Sequence, residues 1–273
     1  MMDELAEAST PAEPRCWWCG DPADSREHKF KQSELKLNNG SGSWTGDAAV
    51  VHGGHGRELK PVQGPNSTHV KFERSMCQNC NNARSQPFDR AYDQFIEHMS
   101  ANEATIGVDR RFRFSDIYGS DWPAQRVNLI KYWVKHVCCM AAQNGLAIPQ
   151  RLLDYLDGSE GGAPPHIQLD MLIQADLLRL RLYEQMDYGS FIGDVTGWTR
   201  PGEGLVAIDG HTMWGWVMVP YTFDVLEELG TTTFEGDLVQ MGFISQVSEE
   251  YTLDPTDLMA SDLLSHYREH KDD

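Results

Sequence analysis

Hydrophobic positions repeat with a helical period in the stretch that follows Cys80. In residues 87–99 the apolar side chains are Phe88, Ala91, Tyr92, Phe95, Ile96 and Met99. This spacing of three and four residues predicts an amphipathic helix. Pro87 suits the first turn, because proline lacks the backbone N–H that would be left unpaired there.

The longest apolar stretch predicts a second helix over residues 121–145. Asp121 is a favoured N-cap, and Pro123 fits the first turn. Asn144 and Gly145 are typical of a helix end. Residues 149–158, "PQRLLDYLDG", predict a short third helix.

The pattern after residue 160 is mixed. Residues 164–186 fit a helix, or a buried strand followed by a helix, because their periodicity agrees with both. Residues 204–221 alternate around Asp209 and Gly210, a dipeptide favoured in tight turns, and so predict two antiparallel strands. Residues 237–247 are expected to pair with them, and residues 255–270 predict a closing amphipathic helix.

These elements predict an α+β fold in three parts. Residues 1–13 are acidic and rich in Pro and Ala, which indicates a disordered tail. Residues 14–90 are rich in Cys, Gly, His and Asn and have few long apolar runs, as expected of a module organised by a metal ion, and this module is predicted to span residues 14–100. Residues 101–273 form a helical and β-containing accessory domain with an acidic composition.

Composition and charge narrow the function classes only slightly. The chain has a net charge of -18, but residues 14–90 hold 11 Lys and Arg against 8 Asp and Glu, whereas the remainder holds 12 against 33. A mildly basic module on an acidic body permits nucleic-acid binding without requiring it. The acidic start lacks the basic-then-apolar order of a secretory signal, and no apolar run reaches the length of a membrane helix. We therefore expect a cytoplasmic protein with no membrane partner.

Six cysteines are the first candidates for chemistry. Four of them form two C-x2-C pairs, Cys16 with Cys19 and Cys77 with Cys80. In a reducing compartment this spacing favours metal over disulfides, and four thiolates complete a tetrahedral structural zinc site. Cys138 and Cys139 lie in the apolar second helix and are interpreted as small core residues.

Between the two pairs, Glu27 directly precedes His28, and Asn81 directly follows Cys80. A Glu-His pair by itself is most often a surface pair. The order C-x2-C, Glu-His, C-x2-C-Asn, however, resembles the zinc-containing branch of the HNH endonucleases, the ββα-metal or treble-clef nucleases of phages and actinobacteria. The resemblance covers residues 14–95.

The resemblance implies a fold and a set of roles. Residues 14–100 would form a zinc-bound treble clef, with Cys16, Cys19, Cys77 and Cys80 as ligands of the structural zinc. Glu27 and Asn81 would hold a catalytic Mg2+ or Mn2+ ion, and His28 would act as the general base on a DNA phosphodiester. Such chemistry suits these side chains, because a neutral imidazole accepts a proton at physiological pH and hard oxygen ligands bind divalent cations.

Several neighbouring residues are secondary candidates. Arg84 is expected on the same helical face as Asn81 and Arg90 at the start of the next helix, and both are predicted to contact nucleic acid. His52, His55 and His69 lie in or near a Gly-rich segment. They fit either an extra metal ligand or, more simply, solvent-exposed loop positions.

Two alternatives to a nuclease remain open from the sequence. The middle asparagine of the HNH signature has no counterpart in "VKFERSM", residues 70–76, which fits a catalytically inactive zinc-finger binding module. The other is an interaction protein, for example a component of a phage or bacterial defence system. In that case residues 101–273 would mediate a homodimer or bind a protein partner.

Overall fold

The protein is described by a computed structural model. It describes residues 13–45, 50–52, 60–158, 167–169, 171–174, 178, 191–192, 196–202, 204–224 and 236–244. The predictions for the tail at 1–12, for His55, for a helix over 179–186 and for the closing helix at 255–270 lie outside these residues.

The described residues contain helices α1 to α6. Their bounds are Gln32–Asn39, Gln86–Ala101, Glu103–Asp109, Phe114–Tyr118, Trp122–Gln143 and Gln150–Asp157. The predicted helices over 87–99, 121–145 and 149–158 are confirmed as α2, α5 and α6, and Asp121 lies at the N-cap position of α5. The sequence pattern did not predict α1. None of the described helices combines the length and the apolar character needed to cross a membrane.

The described strands are short apart from a central hairpin. Strands β1 to β11 are Val50–His52, Lys60–Val62, Arg111–Arg113, Ile167–Leu169, Leu172–Gln174, Phe191–Ile192, Thr196–Arg200, Gly204–Trp214, Val217–Asp224, Leu238–Gln240 and Gly242–Ile244. The largest sheet has the order β11-β5-β9-β8-β6, with β4 also paired to β9 and β7 to β8. Its pairs are antiparallel except for β11 with β5. Strands β1 and β2 form a second sheet, and β3 and β10 a third.

The mixture of helices and small antiparallel sheets confirms the predicted class at this coarse level. Residues 237–247 supply β10 and β11, and only β11 joins the large sheet, through β5 rather than through the hairpin. In the ambiguous segment, β4 and β5 show that residues 167–169 and 172–174 are strands.

The hairpin of β8 and β9 corrects the predicted turn. Asp209 and Gly210 lie in the middle of β8, and the chain reverses after Trp214, where Gly215 has a φ of 50°. Gly210 pairs with Tyr221, and a methyl group on Gly210 would lie 2.3 Å from the Tyr221 hydroxyl. The glycine therefore makes room for a tyrosine across the strands and does not form a turn.

One continuous core joins the cysteines to the sheet. Helix α5 packs against α2, and residues 132–141 of α5 are all buried. Cys138 and Cys139 are fully buried, which confirms them as core residues. The same cluster of buried side chains includes Cys16, Cys80 and, from the hairpin turn, Trp216. The predicted boundary after residue 100 falls just before Ala101, the last residue of α2, and the core is continuous across it.

Candidate functional site

The four predicted zinc ligands lie together. The sulfur atoms of Cys16, Cys19, Cys77 and Cys80 are all within 4.8 Å of one another, and Cys19 Sγ is 3.6 Å from Cys77 Sγ. In a tetrahedral site with Zn–S bonds near 2.3 Å, the sulfur atoms are about 3.8 Å apart. The donor set and its spacing therefore fit a zinc ion, which the four cysteines could hold.

Backbone turns place these sulfur atoms. The first pair sits in a turn in which Gly20 donates to the carbonyl of Cys16 at 2.8 Å, and Gly20 has a φ of 82°, which favours glycine. In the second pair the backbone N–H of Cys80 points at Cys77 Sγ at 3.4 Å. Such amide contacts stabilise a thiolate, so the turn favours the form of Cys77 that binds a metal cation.

Arg84 lies against this cluster. Its guanidinium is 4.4 Å from the ring of Trp18, and Nη1 is 3.7 Å from Cys80 Sγ. It also forms an ion pair with Asp157 at the end of α6, and Trp18 Nε1 donates to the same carboxylate at 2.8 Å. Arg84 therefore connects the cysteine cluster to α6, whereas Arg90, the other predicted nucleic-acid contact, is exposed on α2.

The Glu27-His28 segment is extended and pairs with the segment before Cys77. Isolated bridges place Ser25 opposite Met76 and His28 opposite Lys71, so two residues on one side face four on the other. Phe72 donates to the Glu27 carbonyl at 2.9 Å within this irregular pair. Neighbouring residues on an extended chain point to opposite sides, so Ser25 and Glu27, which are two residues apart, point to the same side.

Asn81 stands in the π-helical turn Asn79–Arg84, directly after the second cysteine pair. Its Nδ2 donates to Ser25 Oγ at 2.8 Å, and the residue is only 9% exposed. Its Oδ1 is buried and has no hydrogen-bond partner in the described part of the chain. A buried carbonyl-type oxygen without a partner costs folding free energy, so this oxygen is available to coordinate a cation or to accept a hydrogen bond.

Glu27 has a cationic partner within the protein. Its Oε1 is 3.1 Å from Nζ of Lys135, a residue of α5 that is 1% exposed. Lys135 Nζ also lies 3.1 Å from Asp89 Oδ1 and 3.3 Å from Ser85 Oγ. Lys31 adds a second ammonium, 2.8 Å from the same Asp89 oxygen.

The pKa shifts follow from this buried network. Burial lowers the pKa of Lys135, but the carboxylates of Glu27 and Asp89 outweigh it and hold that pKa above its usual value. Burial raises the pKa of Asp89, but Lys135 and Lys31 outweigh it and hold that pKa below its usual value. Burial raises the pKa of Glu27, and Lys135 opposes the rise. Lys135 is therefore charged and tied to acidic groups.

His28 has a different partner from Glu27 and Asn81. Its Nε2 is 3.2 Å from the carbonyl oxygen of Pro65. A carbonyl only accepts, so Nε2 carries the proton and Nδ1 has the lone pair. Burial, together with the charge of Lys71, lowers the pKa of His28 to about 4, so the ring is neutral at physiological pH. His69 is exposed, as the simpler interpretation predicted.

The three predicted catalytic residues thus have separate partners. Asn81 bonds to Ser25, Glu27 to Lys135 and His28 to Pro65, and no hydrogen bond joins the three directly among the described residues. Glu27 and Asn81 are connected through Lys135 and Ser85, because Ser85 Oγ donates to the Asn81 carbonyl at 2.9 Å. The assignment of Glu27, His28 and Asn81 as a catalytic set stays a prediction.

Sequence reasoning missed Lys135 as a member of this site. Its signal was present: Lys135 and His136 interrupt an apolar stretch, and a helix buried on all sides leaves a charge no solvent to face. Such a lysine needs a buried acidic partner. Asp89, in the first turn of α2, is one of those partners.

Comparison of this chain with known proteins finds no match among protein-family models, curated proteins or solved structures.

Proposed function

We propose that the chain is a metal-dependent HNH-type endonuclease that hydrolyses DNA phosphodiester bonds. The proposal includes a zinc-bound treble clef of the ββα-metal type. It is supported by two paired extended segments, around Ser25 and Met76, that lead into a helical turn beginning between two cysteines of a four-cysteine cluster.

The observation that carries the proposal is the position of Asn81. The cysteine cluster fixes the turn that bears it, and its unpartnered Oδ1 is buried beside the segment that contains Glu27 and His28. A hard divalent cation binds oxygen atoms of this kind and would neutralise negative charge on the departing oxygen of the phosphodiester. Asn81 thus fits the role of an ion ligand, whereas Glu27, while it is paired with Lys135, does not.

His28 supplies the group that accepts a proton. Its Nε2–H is held by the Pro65 carbonyl, which fixes the orientation of the ring and leaves Nδ1 to take the proton of an attacking water. Because burial keeps the imidazole neutral, the base is in its active form at pH 7. Its low pKa makes it a weak base, so positioning must contribute much of its effect.

The test is cleavage of supercoiled plasmid by the full-length protein with added Mg2+ or Mn2+. We expect His28→Ala to abolish cleavage, with a loss of about 100-fold or more, because a positioned base contributes that much. The zinc content should stay at one ion per chain. His69→Ala is the matched control, since His69 is exposed, and it should cleave like the wild type. Cleavage that survives His28→Ala would reject the assignment of the base.

A second candidate function is a catalytically inactive zinc module that binds nucleic acid or protein. The buried ion network favours it, because Glu27 and Asp89 hold the Lys135 ammonium where the nuclease would need an accessible cation. Under this proposal the wild-type protein contains zinc but does not cleave plasmid with either ion. Cleavage by the wild type that depends on His28 would exclude it.

A further inference from the structure

A cavity of about 20 Å3 lies between α2, α5 and the β8–β9 hairpin. Glu34, His136 and Trp214 are among the residues that line it, and each of them is 4% exposed. The volume suffices for one or two groups of the size of a water molecule. This cavity belongs neither to the cysteine cluster nor to the predicted nuclease residues.

Three buried polar atoms of the lining residues lack partners. Glu34 Oε1, His136 Nδ1 and Trp214 Nε1 form no hydrogen bond within the described residues. Unpaired buried groups are rare in folded proteins, because each one loses its hydration without compensation. All three atoms belong to residues that line one cavity, which indicates that a polar group belongs inside.

The neighbouring hydrogen bonds decide what that group must offer. His136 Nε2 lies 2.9 Å from the Lys29 carbonyl oxygen, which only accepts, so Nε2 is protonated and Nδ1 is an acceptor. Trp214 Nε1 is always a donor. Tyr92 donates to Glu34 Oε2 at 3.0 Å, and burial raises the pKa of Glu34 to about 8. At pH 7 Glu34 is therefore mainly a carboxylic acid with its hydroxyl at Oε1, a second donor.

We propose that this cavity binds the hydroxyl group of a small neutral alcohol. One hydroxyl oxygen accepts from Glu34 and Trp214 and donates to His136, which satisfies all three unpaired atoms. The small volume admits only the polar head. The apolar body of the ligand then lies along the half-buried rim at Phe30 and Met213, which also line the cavity. The proposal does not depend on nuclease activity.

The test uses the full-length, zinc-loaded protein at pH 7 and three matched probes: benzyl alcohol, toluene and benzylamine, which is protonated at this pH. The readout is the indole N–H signal of Trp214 in a nitrogen–proton NMR spectrum, assigned by its loss in Trp214→Phe. We expect a saturable shift with benzyl alcohol. Toluene and benzylamine should bind at least about tenfold more weakly, because they leave polar groups unpaired or bring in a charge.

A variant separates the polar contacts from the aromatic surroundings. Trp214→Phe should weaken benzyl alcohol binding, followed at the His136 ring nitrogens, about fivefold, as expected for the loss of one hydrogen bond. Trp198→Phe is the control, because Trp198 is exposed on β7 and does not line the cavity. Equal binding of toluene, or a Trp214 signal unchanged by benzyl alcohol because only water occupies the site, would overturn the proposal. If Trp214→Phe does not fold, the order of the three probes in their saturable shifts of the wild-type indole N–H signals still decides the proposal.

Discussion

At the scale of single residues, Lys135 is a buried ammonium with two acidic partners. A buried ammonium is tolerated only where acidic partners and hydrogen-bond acceptors replace its hydration. Glu27, Asp89 and Ser85 supply these contacts from two separate parts of the chain. The lysine therefore joins the Glu27 segment to the start of α2 from within α5.

Removing this ammonium should be costly. We predict that Lys135→Met lowers the free energy of unfolding by about 3–5 kcal/mol, because the carboxylates of Glu27 and Asp89 remain buried without their shared partner. Urea denaturation of the zinc-loaded protein measures it. Adding Glu27→Gln and Asp89→Asn to the same variant should recover part of the loss. A loss below about 1 kcal/mol in the single variant, the range of exposed pairs, would contradict the prediction.

His136 should make stability depend on pH. Burial lowers its pKa from 6.5 to about 4, so the unfolded chain binds a proton more readily than the folded one. The neutral ring therefore stabilises the folded chain. Its contribution to the free energy of unfolding is present in full above pH 6.5 and is lost as the pH falls to about 4, a change of about 3 kcal/mol. We predict that His136→Phe loses less stability than the wild type between pH 7 and pH 5, as measured by urea denaturation. Parallel losses would show that the histidine titrates normally.

At the scale of elements, the central hairpin depends on Gly210, which leaves room for a packed side chain and does not form the turn. Tyr221 is buried across Gly210, and two of its ring carbons lie within 3 Å of the place that a methyl group on Gly210 would take. We predict that Gly210→Ala lowers the free energy of unfolding by about 1–3 kcal/mol through overpacking. Gly236→Ala is the control, because its added methyl would meet only a backbone nitrogen at 4.0 Å. Similar melting temperatures for the two variants would disprove the role of Tyr221.

The same hairpin shows what the sequence could reveal. Helices α2 and α5 were predictable, because the spacing of their apolar residues and the Pro, Asp and Gly residues near their ends are local signals. Each can be recognised within a few residues of sequence. The position of the turn was not, because Asp209 and Gly210 resemble a turn locally, whereas the register is set by the partner strand β9. The four cysteines were predictable as a cluster from spacing alone. The pairing of Glu27 with Lys135, across a sequence separation of more than one hundred residues, was not.

At the scale of the whole molecule, the cysteine cluster and the large sheet share one core. The apolar face of α2 is covered by α5, with Phe95 against Trp133 at 5.8 Å between ring centroids. A fragment of residues 14–100 would keep the four cysteines but lose α5, and with it the partner of Glu27. The predicted boundary therefore separates the four metal ligands from part of the core against which they pack.

We predict that the fragment of residues 14–100 binds metal without folding cooperatively. Four thiolates suffice for affinity, so Co2+ should give the sulfur charge-transfer bands of a tetrahedral site in both the fragment and the full chain. Only the full chain should show a sharp thermal transition by circular dichroism, and removing its metal with a chelator should destabilise α2 and α5 together, because they share the core with Cys16 and Cys80. A cooperative transition in the metal-loaded fragment would instead establish residues 14–100 as an independent domain. The exposed face of α2 would then have to be stable in water without α5.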